Sequence, residues 1–451
     1  MTSAAPLFPH TQDQLKEIAA GILRCAAQGG ASSAAVEISE GSGFSVTVRR
    51  GALETIERHR DQAAGVTIWI GTRRGDASTN DLSPDSIQST VAAAIDFARH
   101  AAEDACAGLA DAHCLEGAPP ALDLFHPWRI DTEAAAELAR RAEQAAFDAG
   151  ARIRNSEGAT VCAQHGQFVL ATSHGFLAGY PYSRHSISCA PIAQHGQHMQ
   201  RDGWSSSKRN ATELAMPEAV GRYAAERALA RLQPRALSAR ACPVLFEAPL
   251  AAGLLGAFVR AVSGVALYRR ASFLVDRLGE RIFAPHIQIH EAPHQPRAMG
   301  AAPFDQEGVR TRARDVVRDG IVQGYFLSTY SARKLGMQTT GNAGGAHQLA
   351  LRSAHTRDKD DLRAMLKKLD TGLLLTEVMG QGVNYVTGDY SRGAVGFWVE
   401  RGEIQYPVEG ITVAGNLKQM FKDIVAVGAD VYANSAKETG SVLIEKMTVA
   451  G

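Results

Sequence analysis

Glycine limits the possible folds of this chain most sharply between Gly380 and Leu417. The stretch begins Gly380-Gln381-Gly382-Val383-Asn384-Tyr385-Val386-Thr387-Gly388-Asp389-Tyr390-Ser391-Arg392-Gly393-Ala394. It continues through Gly396-Phe397-Trp398-Val399-Glu400 and Tyr406-Pro407-Val408, and closes on Thr412-Val413-Ala414-Gly415-Asn416-Leu417. A helix here would lose about 1 kcal/mol at each interior glycine relative to alanine. The short runs of Val, Tyr, Phe, Trp and Ile between glycines are strand chemistry alternating with turn chemistry. A compact β-structure is expected, its turns carrying Asn384, Asp389, Ser391, Arg392 and Asn416. Those five residues are candidates for a cavity lining or a partner-facing surface. A β-domain with well-made turns explains the same composition without any site.

The rest of the chain is ordinary in bulk. At 451 residues it exceeds the roughly 250–300 at which one core stops growing, so two or three domains are expected. Hydrophobic residues make up 45% and charged residues 21%, as in globular proteins. Lys plus Arg and Asp plus Glu both total 47, which argues against binding nucleic acid by bulk phosphate attraction. The six cysteines, at 25, 106, 114, 162, 189 and 242, include no C-x-x-C pair and read as reduced thiols. Met1 to His10 lacks a basic segment followed by an apolar core, so no signal peptide is expected. Ala248 to Tyr268 imitates a membrane span, but Arg260, Pro249 and its glycines point to a buried segment instead. A cytoplasmic protein with no membrane contact is expected.

Local signals divide the chain into three. Thr11 and Gln14 form a capping box ahead of the apolar face Leu15, Ile18, Ala19, Ile22, Leu23 and Ala26, and Gly29-Gly30 ends that helix. Ala35–Glu40 and Phe44–Arg50 alternate around Gly41-Ser42-Gly43 as a hairpin, and 54–60 with 66–70 forms a second pair. Ser83-Pro84 opens another helix. Residues 1–115 are therefore a helix–meander–helix unit. In 120–235, Asp131 caps a helix that stops at Gly150. Four short strands follow, at 159–163, 167–171, 175–180 and 185–190, and then a helix begun by Pro217. This repeats the order of the first unit. Residues 238–451 are β-rich, with a helix over 250–262, strand alternation over 281–290 and one clear helix at 359–369. The class is α+β.

The most visible chemical motif is His290-Glu291-Ala292-Pro293-His294. The H-E-x-x-H spacing holds zinc when a helix brings both imidazoles to one face, with the Glu as base. Pro293 cannot sit inside such a helix without losing about 3 kcal/mol, and it pushes Ala292 toward extended backbone. The segment reads as a strand entering a turn, with two solvent-facing histidines and a dispensable Glu291. Ser391 is not in a G-x-S-x-G elbow. Thr340 to Gly345 lacks the Lys and Ser/Thr of a phosphate loop and reads as a plain turn. His185, His195 and His198 fit no common site and read as surface residues.

Several segments together resemble the TldD/PmbA family, also called modulators of DNA gyrase, on its PmbA/TldE side. They are the Gly380–Leu417 stretch, Pro303-Phe304-Asp305-Gln306-Glu307-Gly308, Tyr330-Ser331-Ala332-Arg333-Lys334-Leu335-Gly336, Thr340-Gly341-Asn342-Ala343-Gly344-Gly345, Arg49-Arg50-Gly51-Ala52-Leu53-Glu54-Thr55 and Asn155-Ser156-Glu157-Gly158. The likeness covers nearly the whole chain. It implies a metalloprotease complex of two homologous chains, acting in intracellular proteolysis and the processing of microcin-type peptide precursors.

Zinc-bearing members carry an H-E-x-x-x-H helix after a Leu-Leu pair, and a cysteine near the C-terminus. Leu254-Leu255 matches the pair, which puts Gly256 and Ala261 at the histidine positions and Ala257 at the glutamate. The last cysteine is Cys242. The resemblance thus implies a chain without catalytic or metal residues and without a cofactor of its own, zinc being expected in a TldD-type paralogue. The partner is that paralogue or a second copy, and the substrates are peptides. Two alternatives stand beside this: an autonomous metallopeptidase at His290, Glu291 and His294, and a non-enzymatic modulator.

Overall fold

The computed structural model describes residues 6–451. Met1–Ala5, half of the stretch read for a signal peptide, lie outside the described residues. The fold is α+β, and its largest element is one sheet shared by the first two sequence units. Its strands are β1 (Ser33–Arg49), β2 (Ala52–Ile70), β3 (Arg73–Thr79), β4 (Ile153–Thr172), β5 (Leu177–His195), β6 (His198–Arg201) and β7 (Trp204–Lys208). The order is β3-β2-β1-β4-β5-β6, with β7 also paired to β5.

Four strands of this sheet are far longer than the alternation implied. The expected hairpin around Gly41-Ser42-Gly43 is instead the middle of β1, and the second pair is the single strand β2. The four short central strands are β4 and β5. The glycines are not turns here. A Cβ on Gly43 would lie 1.8 Å from the His59 ring, one on Gly41 2.2 Å from Asp61, and one on Gly166 2.4 Å from Tyr182. They are flat places across which a neighbouring strand's side chain lies.

Strands of 17–20 residues run about 55–65 Å, long enough for two helix pairs in tandem on one face. Near one end α1 (Gln12–Gln28) and α2 (Pro84–His100) bury Leu15, Ile22, Val91 and Ile95 against Val36, Ile38, Val66 and Val169. Near the other, α3 (Thr132–Asp148) and α4 (Pro217–Ala230) bury alanine-rich faces against Val46, Val48, Val161 and Ile187. The caps are as expected. Thr11 and Gln14 bond each other reciprocally, Asp131 accepts from Ala134 N, and prolines open α2 and α4.

The C-terminal region holds two sheets. One contains β8 (Arg240–Phe246), β13 (Gly372–Met379), β14 (Asp389–Glu400), β15 (Glu403–Asn416), β16 (Ile424–Val427) and β18 (Val442–Ala450), in the order β15-β14-β13-β8-β18-β16. The other is β11-β10-β9-β12-β17: Ile321–Val322, Arg314–Arg318, Ile287–Glu291, Leu349–Ser353 and Lys437–Glu438. Between them runs α5 (Ala248–Ala261), broken from α6 (Gly264–Tyr268) at Val262-Ser263. The membrane-like stretch is thus two short helices around buried Phe258 and Leu255, and no described helix is long and apolar enough to cross a membrane.

Strand structure expected over 281–290 begins only at Ile287. The helix expected from Lys359 begins at Leu362, because Asp361 caps it by accepting from Ala364 N. It is α8 (Leu362–Leu369). Two short helices, α7 (Thr329–Lys334) and α9 (Leu417–Lys422), had no helical signal long enough to read.

The open face of the long sheet receives the C-terminal region. Phe304 wedges among Phe168, Phe176 and Tyr180, with ring centroids 6.0, 4.9 and 5.6 Å away. Buried Arg209 donates to the carbonyls of Ala298 and Met299.

Candidate functional site

The H-E-x-x-H residues are not on a helix. β9 ends at Glu291, so His290 and Glu291 point to opposite faces of a strand. His290 is exposed, with Nδ1 2.8 Å from Asp315 Oδ1. His294 is also exposed and bonds Thr311 Oγ1 through Nε2. Glu291 is only 1% exposed. Its Oε2 accepts from Arg314 Nε at 2.8 Å, and its Oε1 accepts from Asn342 Nδ2 at 2.8 Å and His347 N at 2.9 Å. Both oxygens are committed, so Glu291 cannot serve as a base on a bound water. It is also not the dispensable residue that the sequence suggested.

The same cluster explains two glycine-rich motifs. Asn342 accepts from Arg314 Nη2 at 2.9 Å and Thr340 Oγ1 at 2.8 Å. His347 Nε2 is 2.7 Å from the Gly341 carbonyl. Gly341 (φ 69°), Gly344 (φ 91°) and Gly345 (φ 112°) give Thr340–Gly345 the left-handed backbone that turns it around this side chain. Asp305 Oδ1 accepts from Glu307 N and Val309 N, and Oδ2 from Ala343 N. Burial, together with nearby Glu307, pushes its carboxyl up to about 7 despite those three donors. Glu307 in turn accepts from Thr329 N. Segments far apart in sequence are thereby fastened into one buried clamp.

The N-terminal motifs behave likewise. Buried Glu143 on α3 accepts from Arg50 N and Gly51 N, and Arg49 Nε donates to the Ser156 carbonyl.

The zinc-helix positions fall on α5. Ala257 and Ala261 are buried in the core. A Cβ on Gly256 would lie 3.9 Å from the Lys437 methylenes. None of the three offers a donor atom, and Cys242 lies buried on β8. Among the described residues, no group of three His, Cys, Asp or Glu is arranged to hold a metal. The residues of α5 therefore do not fit a zinc ion.

The structure brings three of the five turn candidates together. Asn416 Nδ2 donates to Asp389 Oδ1 and to the Thr387 carbonyl, while Asn384 Oδ1 accepts from Val386 N. Hydrogen bonds from Thr387 and Asn416 hold the Asp389 carboxyl below its usual range. Arg392 donates to the Gly380 carbonyl. Exposed Ser391 sits on β14 with its N bonded to the Gly382 carbonyl. The loop is tied to α5 by Arg260 lying 4.5 Å over the Tyr385 ring.

His195 and His198 face each other across β5 and β6. His185 is not a surface residue: it is 1% exposed. Its Nε2 bonds the His126 carbonyl, and its ring lies 5.2 Å from that of His165 and 5.4 Å from Trp128. The alternation of β5 carries His185 inward, a signal hidden while the strand was read in pieces.

A cleft of about 390 Å³ lies where the open sheet face meets the clamp, lined by Glu37, Tyr180, Tyr182, Asp305, Gln306 and His347 among others. Burial raises the pKa of Glu37. The sequence singled out Asp305 but not Glu37 or the tyrosines, because nothing local tells which residues of a long strand meet another domain.

Domain patterns now place this architecture. The PmbA/TldA metallopeptidase domain 1 matches residues 34–98, the central domain 125–232 and the C-terminal domain 239–451. The chain belongs to the PmbA/TldD metallopeptidase family. It is 46% identical to "Metalloprotease PmbA" of Escherichia coli O157:H7 over 94% of each chain. It is 42% identical to a Haemophilus influenzae "Metalloprotease PmbA homolog" over 100% of this chain and 99% of that one.

The same Haemophilus strain has a "Metalloprotease TldD homolog", 28% identical over 47% of this chain and 44% of its own. Among solved structures, a Bacteroides thetaiotaomicron protein described as a candidate modulator of DNA gyrase superposes with TM-score 0.91 at 25% identity, covering 97% of this chain and 99% of that one. TldE of Thermococcus kodakarensis shares the fold, with TM-score 0.83 at 17% identity over 96% and 100%. PmbA/TldD membership makes this a peptidase-family protein.

Proposed function

We propose that this chain is the noncatalytic, PmbA/TldE-type subunit of a two-chain metallopeptidase that processes peptides in the cytoplasm. One observation carries the proposal. Helix α5 is intact and packed, yet Gly256, Ala257 and Ala261 supply no ligand and no base. The catalytic zinc then belongs to a TldD-type paralogue. That one Haemophilus strain has relatives of both types supports pairing. The role of this chain is to complete the substrate chamber and to stabilise its partner through a large interface on the C-terminal region.

Two measurements test this. Purified chain, after mild chelation, should contain far less than one zinc per molecule; stoichiometric, tightly held zinc would refute the noncatalytic role. Co-expression with the zinc-bearing paralogue should give a complex in gel filtration, and two monomers at micromolar concentration would refute the subunit role.

A further inference from the structure

The cleft at the clamp is one end of a longer groove. A second hollow, of about 520 Å³, continues it across the open face of the long sheet. The two share Glu37, Ser39, Leu170 and Gln306. Strand register gives the floor. Ser78, Gly65, Glu37, Leu170 and Ala178 stand in one row across β3, β2, β1, β4 and β5. Their neighbours Val36, Val66 and Val169 face the helices, so alternation turns this row to the open side. Its small residues make a trough: a Cβ on Gly65 would meet nothing closer than the Glu37 carbonyl at 4.0 Å. Five strands span about 19 Å, the length of about six extended residues.

The lining carries one sign of charge. Glu37, Asp76 and Asp305 supply carboxyls, and neither hollow is lined by a lysine or an arginine. Asp76 is paired with Arg74, and Asp305 is committed to main-chain N–H groups. The Glu37 carboxylate, in the middle of the row, has no hydrogen-bond or ionic partner among the described residues, and burial alone raises its pKa.

The walls suit a peptide backbone. His347 is 9% exposed and lines the cleft. Its Nε2 is held by the Gly341 carbonyl, which makes Nδ1 an acceptor, and no described group bonds Nδ1. On the same wall the N–H groups of Gly344 and Ala346 have no partner among the described residues. Nor have the Tyr180 and Tyr182 hydroxyls across the cleft, which burial keeps protonated. An extended chain presents N–H and C=O groups along its length, and free N–H, O–H and imidazole nitrogen can satisfy both kinds. A cationic side chain would give Glu37 the charge-assisted bond it lacks.

We infer that this groove binds an extended peptide segment and seats a lysine or arginine side chain on Glu37. This deepens the proposed function, rests on its peptide substrates, and names a side chain that they present.

Fluorescence anisotropy on the full-length chain tests it, with a dye-labelled, capped alanine hexapeptide carrying one lysine as the probe. Binding should saturate, and norleucine in place of the lysine should weaken it about tenfold. Glu37→Gln should weaken the lysine peptide as much and leave the norleucine peptide unchanged. Glu37→Lys should reverse the preference toward a peptide with glutamate at that position. Glu37 is exposed, so both variants should keep the native melting point. Gly65→Leu, which fills the trough, should abolish binding with the circular dichroism unchanged. No saturation at millimolar peptide overturns the inference, as does norleucine bound as tightly as lysine or an unaffected Gly65→Leu. Butylamine competing as well as the hexapeptide would make this a site for small amines and overturn it too. The isolated chain is used, so this result is separate from the pairing test. A chain that binds the peptide but forms no complex with the paralogue refutes the subunit role alone. A complex whose chain ignores the peptide refutes the groove alone.

Discussion

Thr340–Gly345 and Gly380–Asn416 look alike in sequence, and the fold treats them oppositely. Both mix glycines with small polar residues, and both make turns. In the first, Asn342 points inward and completes the pairing of Glu291 with Arg314, out of reach of water. In the second, Asn384, Asp389 and Asn416 bond their own turn at the surface. The chemistry is the same in kind, amide to carboxylate to backbone N–H, and burial decides what it is worth. A buried polar group that loses its partner keeps its desolvation cost, whereas an exposed one returns to water.

The largest expected effect is at the centre of the clamp. Glu291→Ala leaves the Arg314 guanidinium, Asn342 and His347 N without their acceptor. Removing one member of a buried ion pair costs about 3–5 kcal/mol, which chemical denaturation would measure directly. Glu291→Gln keeps the volume and one acceptor and should fall between the variant and the native chain. A loss under about 1 kcal/mol for Glu291→Ala would erase the distinction drawn between the two segments.

Next in size is a buried histidine pair far from the clamp. Burial first, and then the neighbouring His185 and Arg129, lower the His165 pKa to about 4 against a bond to the Ser42 backbone. His165 Nε2 accepts from Trp128 N at 3.0 Å, a bond available only to neutral imidazole. Burial also lowers the His185 pKa. The unfolded chain binds the His165 proton below about 6.5, and the folded chain only below about 4. Stability should therefore be full above pH 6.5 and fall as the pH drops toward 4, by on the order of 2–3 kcal/mol for His165. His165→Gln should flatten that part of the stability–pH curve. An unchanged slope would mean that the pair does not titrate with unfolding.

These contrasts show how far the sequence can be read. Thr11, Pro84, Asp131 and Pro217 announced their helices because a cap is settled within one turn of chain. The class, the C-terminal strands and the extended character of residues 287–291 were legible for the same reason. Strand length was not, because Gly41, Gly43 and Gly166 look like turns until the side chain that lies across each one is known. Glu291 was misjudged because the Pro293 argument addresses only whether a helix can form. It gives no information on Arg314 or Asn342, which arrive from 23 and 51 residues away. The cleft between Glu37 and His347 exists only once two domains have docked.

On the surface side of the comparison, Asn416 caps α9 by accepting from Lys418 N and also ties Asp389 to the loop. Asn416→Ala removes a cap at an accessible site, so a loss of about 1 kcal/mol is expected. Proteolysis near residues 384–389 should quicken while the clamp stays intact. A loss as large as that of Glu291→Ala would place this turn with the clamp.

The smallest effect should come from the residues that flank the largest. His290 and His294 lie one and three positions from Glu291, but both are exposed, and each meets one polar neighbour, Asp315 or Thr311. His290 and Arg318 hold the Asp315 carboxyl below its usual range. Arg318 remains bound to it after His290 is lost, so the carboxylate is not left alone. Changing both histidines to Ala should shift stability by no more than about 0.5 kcal/mol. Peptide cleavage by the assembly reconstituted with a zinc-bearing paralogue should stay within about twofold, since ordinary surface sites hold no catalytic group. Two lost zinc ligands would instead cost orders of magnitude in rate. Glu291→Gln in the same assay separates the remaining cases. Destabilisation with activity retained below the melting point is the expected pattern for a structural carboxylate between two surface histidines. Activity lost in both variants with the fold intact would make residues 290–294 a working metal site, and this chain the enzyme.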